Sequence, residues 1–112
     1  MSESMVVVAG EGLGRGDDEL GRRLMIKFFG QLLALGNKPH VVAFYNAGVK
    51  LLAHGSPVLD ALHALEHDGV ELIACGTCVD HFALREHLAV GRVTDMREIV
   101  ASMSASAKVI TA

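Results

Sequence analysis

Two cysteines three positions apart, in Cys75-Gly76-Thr77-Cys78, are the residues of this chain best suited to chemistry. A thiol reacts as its thiolate, and a free cysteine has a pKa of about 8.5, so a reactive one needs help to ionise. The unpaired N–H groups at the start of a helix supply such help. Thr77 is suited to cap a helix, Asp80 stands three residues later as its partner, and Cys78 then falls in the first turn. Cys75 would end the preceding strand, and Gly76 lets the backbone bend between the two. The pair suits sulfur transfer through a persulfide, dithiol–disulfide exchange, or half of a metal site. Two buried, inert thiols are the plain alternative, because free cysteine also packs as a small apolar residue.

Metal chemistry is poorly supplied. A closed zinc site takes four nitrogen or sulfur ligands. His81 follows Cys78 by three with Asp80 beside it, but His40, His54, His63, His67 and His87 are scattered over other elements. Val79 in place of His after the second cysteine excludes haem attachment. The expectation is no metal and no cofactor.

Two other stretches invite a functional reading. Gly10-Glu11-Gly12-Leu13-Gly14-Arg15-Gly16 is rich in glycine, yet no register of it gives G-x-G-x-x-G. Asp17-Asp18-Glu19 would also face a phosphate with negative charge, and no P-loop Lys-Ser/Thr follows. The expected role is a mobile rim over the site, with Arg15 as its anion contact. Asn46, Gly48 and Lys50 follow a strand, and Lys50 either places positive charge near the thiols or is a solvated lysine. There is no serine elbow and no paired carboxylate couple.

The elements that must position these residues alternate. Strands are expected at Met5–Ala9, His40–Tyr45, Val70–Ala74, Gly91–Val93 and about Ala107–Thr111. The first is continuously apolar, as suits a strand covered on both faces. Asp17-Asp18-Glu19 opens a helix that runs to about Leu35 and buries Leu20, Leu24, Phe28, Leu32 and Leu35. Ser56 caps a helix that starts at Pro57, carries Val58, Leu62 and Leu65 inward and stops at Asp68-Gly69. Further helices are expected over about Val79–His87, and from a cap at Thr94 or Asp95 through Met96, Ile99, Val100 and Met103. Alternation of this kind implies βαβ units, hence a parallel sheet with helices on both faces. Sites in such sheets gather at the carboxyl ends of the strands, where all three stretches fall.

The chain has 112 residues, enough for one domain over residues 1–112. It is 51% hydrophobic, which excludes disorder, and ten Lys+Arg against thirteen Asp+Glu give a net charge of −3, which excludes a basic nucleic-acid footprint. Two cysteines do not make a disulfide scaffold. Met1-Ser2-Glu3-Ser4-Met5 lacks a basic leader, and the apolar run after it is too short for a membrane span. The expectation is a soluble, cytoplasmic protein in a reducing compartment, with no nucleic-acid or membrane partner. An apolar helix at Val79–Leu88 would offer a surface for self-association.

Four stretches taken in order carry a family resemblance: Gly14-Arg15-Gly16-Asp17-Asp18-Glu19-Leu20-Gly21, Asn46-Ala47-Gly48-Val49-Lys50-Leu51, Cys75-Gly76-Thr77-Cys78 and Leu88-Ala89-Val90-Gly91. Together they resemble the DsrE-like family of sulfur-relay proteins, and within it the DsrE-like domain of YedF-type proteins, described as sulfurtransferase-like and associated with selenium metabolism. The resemblance implies a three-layer α/β/α sandwich with a five-stranded parallel sheet, homo- or hetero-oligomers, and a cysteine after the third strand that carries sulfur as a persulfide. By position that cysteine is Cys75, whereas the helix-start argument favours Cys78. Longer YedF-type chains add a small N-terminal domain with a Cys-Pro-x-Pro motif that these residues lack. The resulting expectation is a sulfur (or selenium) carrier that loads Cys75, with Cys78 resolving or shielding the persulfide. Its partners are a donor and an acceptor protein, and Lys50, Asn46, Gly48, Arg15 and Thr77 support the site. A C-x-x-C redox protein and a non-catalytic oligomeric binding module with inert cysteines remain the alternatives.

Overall fold

The computed structural model describes residues 3–112, so Met1 and Ser2 of the expected non-basic N-terminus lie outside the described residues. Five strands, β1 (Ser4–Val8), β2 (Val41–Phe44), β3 (Glu71–Cys75), β4 (Arg92–Thr94) and β5 (Lys108–Thr111), form one sheet. Their order is β4-β3-β2-β1-β5 and every pairing is parallel. The radius of gyration, 12.9 Å, is that of a well-packed chain of this length.

Parallel strands need crossovers, and the crossovers put helices on both faces of this sheet. Successive side chains of β1 point to opposite faces. Val6 and Val8 join Val42, Phe44, Leu72 and Ala74 under α1 (Asp18–Ala34) and α2 (Leu59–His67). Met5 and Val7 join Val41, Ala43, Ile73 and Cys75 under Ile99 of α4 (Met96–Ala105). Covering on both sides is why these strands read as unbroken apolar runs. No helix among the described residues is long and apolar enough to cross a membrane.

Four local expectations are corrected. Helix α1 buries Gly21, Met25, Phe29 and Leu32, while Leu20 and Leu24 stay 49% and 37% exposed and Leu35 is exposed as well. The helix carries two apolar stripes, and a backbone contact selects between them. The Leu13 N–H donates to the Gly21 carbonyl at 2.9 Å, and a Cβ on Gly12 would come within 3.1 Å of the Gly21 backbone. Seating Gly21 inward turns Met25 and Phe29 onto the sheet. Asp17, as expected of the acidic cluster, caps the helix by accepting the Leu20 N–H at 2.7 Å.

Helix α2 starts at Leu59, not at Pro57. The Ser56 hydroxyl accepts the Val58 N–H in a turn that precedes the helix, and the Val58 side chain is drawn into the core.

The third helix, α3, covers only Gly76–His81. Ala83 takes a positive φ of 55°, and the following segment leaves the helix to lie beside residues 52–54. There the His54 N–H donates to the His87 carbonyl and the Ala89 N–H to the Leu52 carbonyl. The apolar surface expected at Val79–Leu88 is not presented either. Val79 is fully buried, and Phe82, Leu84 and Leu88 pack against the core. Exposed apolar residues lie on α1, α4 and β5 instead.

Candidate functional site

Strands β2 and β3 are neighbours, so the segments that leave their carboxyl ends meet. Beyond β2 the chain forms a 3-10 helix, Asn46–Leu52, and beyond β3 it forms α3. The 3-10 helix lies across the end of β1, so closely that a Cβ on Gly48 would stand 2.2 Å from the Val8 carbonyl oxygen. Only a residue without a side chain fits there. Gly76 fills the same need on the other side, where a Cβ would meet the Thr94 carbonyl oxygen at 3.0 Å and Val93 Cγ1 at 3.2 Å.

Cys75 is the last residue of β3 and is 3% exposed. It precedes α3 as its cap residue, with extended backbone and no side-chain cap bond. Thr77 therefore sits inside α3 and is not its cap, and Asp80 turns away to pair with Arg85 through two hydrogen bonds of 2.8 and 3.0 Å. Six residues of helix leave little macrodipole to ionise a thiol. Cys78, one turn on, is half-buried and lines a cleft of about 280 Å³ with Asn46, Thr77, His81 and Phe82.

One backbone donor reaches the sulfur. The Asn46 N–H donates to Cys78 Sγ at 3.0 Å, and Asn46 holds a positive φ of 50° to aim it. Asparagine is among the few residues with a side chain that adopt this conformation readily. The sulfur feels opposing influences. Burial pushes the Cys78 thiol up from its ordinary pKa, the Asn46 N–H draws it down, and Cys75, close enough to hydrogen-bond with it, pushes it up again. The net direction is upward. Cys78 is thus kept predominantly as the thiol at neutral pH, contrary to a sulfur ionised by a helix start.

The supporting residues divide. Asn46 and Thr77 line the cleft with Cys78, whereas Gly48 packs against the end of β1 and does not line it. Lys50 reaches the same region, but its Nζ rests over the Phe82 ring, 4.5 Å from the centroid, a cation–π contact on the cleft wall. Arg15 is not brought there. It is exposed in a separate depression lined by the glycine loop, Thr111 and Ala112, which shares no lining residue with the thiol cleft. Phe82 and His81 are additions to the expected set as walls of the cleft, and the spacing of three from Cys78 to His81 on a helix was the available signal. Among the described residues, no three His, Cys, Asp or Glu side chains are grouped to hold a metal ion.

A family model described as the DsrE/DsrF-like family matches residues 18–112. No curated protein matches the chain. Among solved structures, the ychN protein of E. coli superposes with a TM-score of 0.72 at 18% identity over 100% of both chains. MTH1491 of Methanobacterium thermoautotrophicum, a protein of unknown function, gives 0.72 at 21% identity over 97% of both. BT1422 of Bacteroides thetaiotaomicron, also of unknown function, gives 0.68 at 15% identity over 98% of this chain and 95% of that one. These three share the fold. The chain belongs to the DsrE/DsrF-like family.

Proposed function

We propose that this member of the DsrE/DsrF-like family is a sulfur carrier, one relay domain over residues 1–112, which holds sulfane sulfur as a persulfide on the Cys75–Cys78 pair. Family membership supports a sulfur relay in general. The observation that carries the reading further is a free sulfur at an open cleft, Cys78 Sγ, held by the Asn46 N–H with a second free thiol buried behind it.

In the forward step the Cys78 sulfur attacks the outer sulfur of a donor persulfide. The donor's S–S bond breaks, its thiolate leaves, and Cys78 now carries the outer sulfur. An acceptor thiolate then attacks that sulfur and Cys78 leaves as the thiol it began as. Exposure favours Cys78 for the attack, although the family resemblance points by position to Cys75. The buried Cys75 is placed to resolve the persulfide: attack on the inner sulfur would expel hydrosulfide and leave a Cys75–Cys78 disulfide. Donor and acceptor are proteins with a reactive thiol of their own, and reduced thiols suit a cytoplasmic, reducing setting. Selenium, suggested by the YedF-type likeness, would follow the same steps.

Mass spectrometry after exposure to a persulfide donor tests the reading. The expected result is a gain of one sulfur that Cys78→Ser abolishes and Cys75→Ser retains. Loss with Cys75→Ser alone would move the carrier to Cys75, and retention in both single variants would overturn the reading. Two free cysteines three residues apart also favour a second reading, a dithiol oxidant or reductant. A reversible loss of two hydrogens with a defined potential, and no sulfur gain, would select it.

A further inference from the structure

A thiol held protonated at a relay site needs a place for its proton at the moment of attack. The choices around Cys78 are few. Among the described residues five line the cleft, and Thr77, Asn46 and Phe82 have no side chain that takes up a proton near neutral pH. The ammonium of Lys50, on the 3-10 helix, is directed to the Phe82 face. The Asp80 carboxylate is engaged by Arg85, and Arg85 binds it with both nitrogens of its fork. Cys75 is itself a thiol, buried behind Cys78.

His81 remains. It ends α3, three residues after Cys78, and residues at that spacing share a helix face. Its ring stands nearly perpendicular to Phe82, 86° between planes with centroids 4.9 Å apart, so an aromatic neighbour sets its orientation. No hydrogen bond joins the imidazole to Cys78 Sγ among the described contacts, and the open cleft between them has room for a water or for the donor's sulfur. An acid–base group can act on a thiol through one water, and imidazole is the side chain suited to exchange protons close to neutrality.

We propose that His81 is the proton-transfer residue of the thiol cleft. It takes the proton of Cys78 as that sulfur attacks and returns it to the thiolate that leaves. The step balances without an oxidant or reductant: Cys78 thiol and donor persulfide become Cys78 persulfide and donor thiol. The sulfur–hydrogen bond of Cys78 and the donor S–S bond break, a new S–S bond forms on Cys78, and the proton passes through His81 to the donor sulfur. The assignment rests on the relay reading with Cys78 as the attacking sulfur.

The experiment separates the two. In the full chain, alkylation of Cys78 by iodoacetamide is followed peptide by peptide over about pH 5 to pH 9, for the parent and His81→Gln. His81 is exposed, so its replacement leaves the core intact. The expected result is a rate at neutral pH lower by about tenfold or more in His81→Gln, with the acid limb of the parent's profile missing and rates converging at high pH. His81→Lys restores positive charge but should not restore that limb. Superimposable profiles for parent and His81→Gln, or full recovery in His81→Lys, would overturn the assignment. Sulfur loading is not needed for this readout. A parent that alkylates as expected yet gains no sulfur would fail the relay reading while leaving the proton-transfer role of His81 standing.

Discussion

The glycine loop after β1 and the thiol cleft after β2 and β3 occupy the same edge of the sheet, and they handle backbone strain in opposite ways. Positive φ in the loop falls on Gly14 and Gly16, at 83° and 128°, where no side chain is there to object. At the cleft it falls on Asn46 and Ala83, which have side chains. One of these aims an N–H at Cys78, and the other ends the helix that carries Cys78 and His81. Strain of this kind persists where the surrounding structure over-determines it, and it clusters at functional sites. The loop that looks functional in sequence is an easy connection, whereas the segment that looks like an ordinary helix start is held in place.

The sharpest way to break the comparison is to add one methyl group on each side. Gly48→Ala drives a Cβ to 2.2 Å from a strand carbonyl, an overlap that backbone must move to relieve. A loss of about 3 kcal/mol is expected, the upper end for overpacking, together with disturbance of the Asn46 contact two residues away. Gly14→Ala meets open space and only the cost of its φ, about 1–2 kcal/mol. Urea midpoints at constant m-value measure both. Equal losses would mean that the cleft side is no more constrained than the loop.

Much of this was legible in the sequence, for a physical reason. Continuous β-branched runs such as Val6-Val7-Val8 and Val41-Val42 are covered on both faces in any parallel sheet, so fold class and strand positions follow from local pattern. The convergence of Asn46 and Cys78 follows from the same rule about strand ends. What escaped was settled by contacts between distant segments. Helix α1 offers two apolar stripes, and the Gly12–Gly21 contact chooses the less obvious one. The third helix stops early because residues 87–89 find partners at 52–54. Arg15 and Lys50 were assigned by charge, and charge alone says nothing of the Phe82 ring that receives Lys50.

Ala83→Gly sharpens the comparison from the other direction. Ala83 closes α3 in the left-handed conformation, with the Leu84 N–H returning to the Val79 carbonyl at 2.9 Å. Glycine relieves a strain of about 1–2 kcal/mol and adds roughly 0.5–1 kcal/mol of unfolded-state entropy, so a net gain of up to about 1.5 kcal/mol is expected. A higher urea midpoint with unchanged Cys78 alkylation would place the strain in the scaffold. A higher midpoint with slower alkylation would make the left-handed turn part of how His81 and Cys78 are aligned.

The smallest effect concerns β4, the strand against which Gly76 packs. Arg92 reaches Glu98 and, at 3.1 Å, Glu71, while the Thr94 hydroxyl also donates to Glu98. The Arg92 guanidinium, and after it Thr94, hold the Glu98 carboxyl down at about 2. A free glutamate titrates near 4.3, so the folded state binds this proton less readily than the unfolded chain. The stabilisation is fully present above about pH 4.3 and drains away as pH falls towards 2. All three charged groups are largely exposed, so solvent screening limits the effect to under about 1 kcal/mol. Comparing parent with Glu98→Gln isolates it: the parent's advantage in urea midpoint at pH 6 should narrow by pH 3. An advantage independent of pH would mean that Glu98 braces β4 through its shape and neutral hydrogen bonds, and that the edge beside the thiols owes nothing to charge.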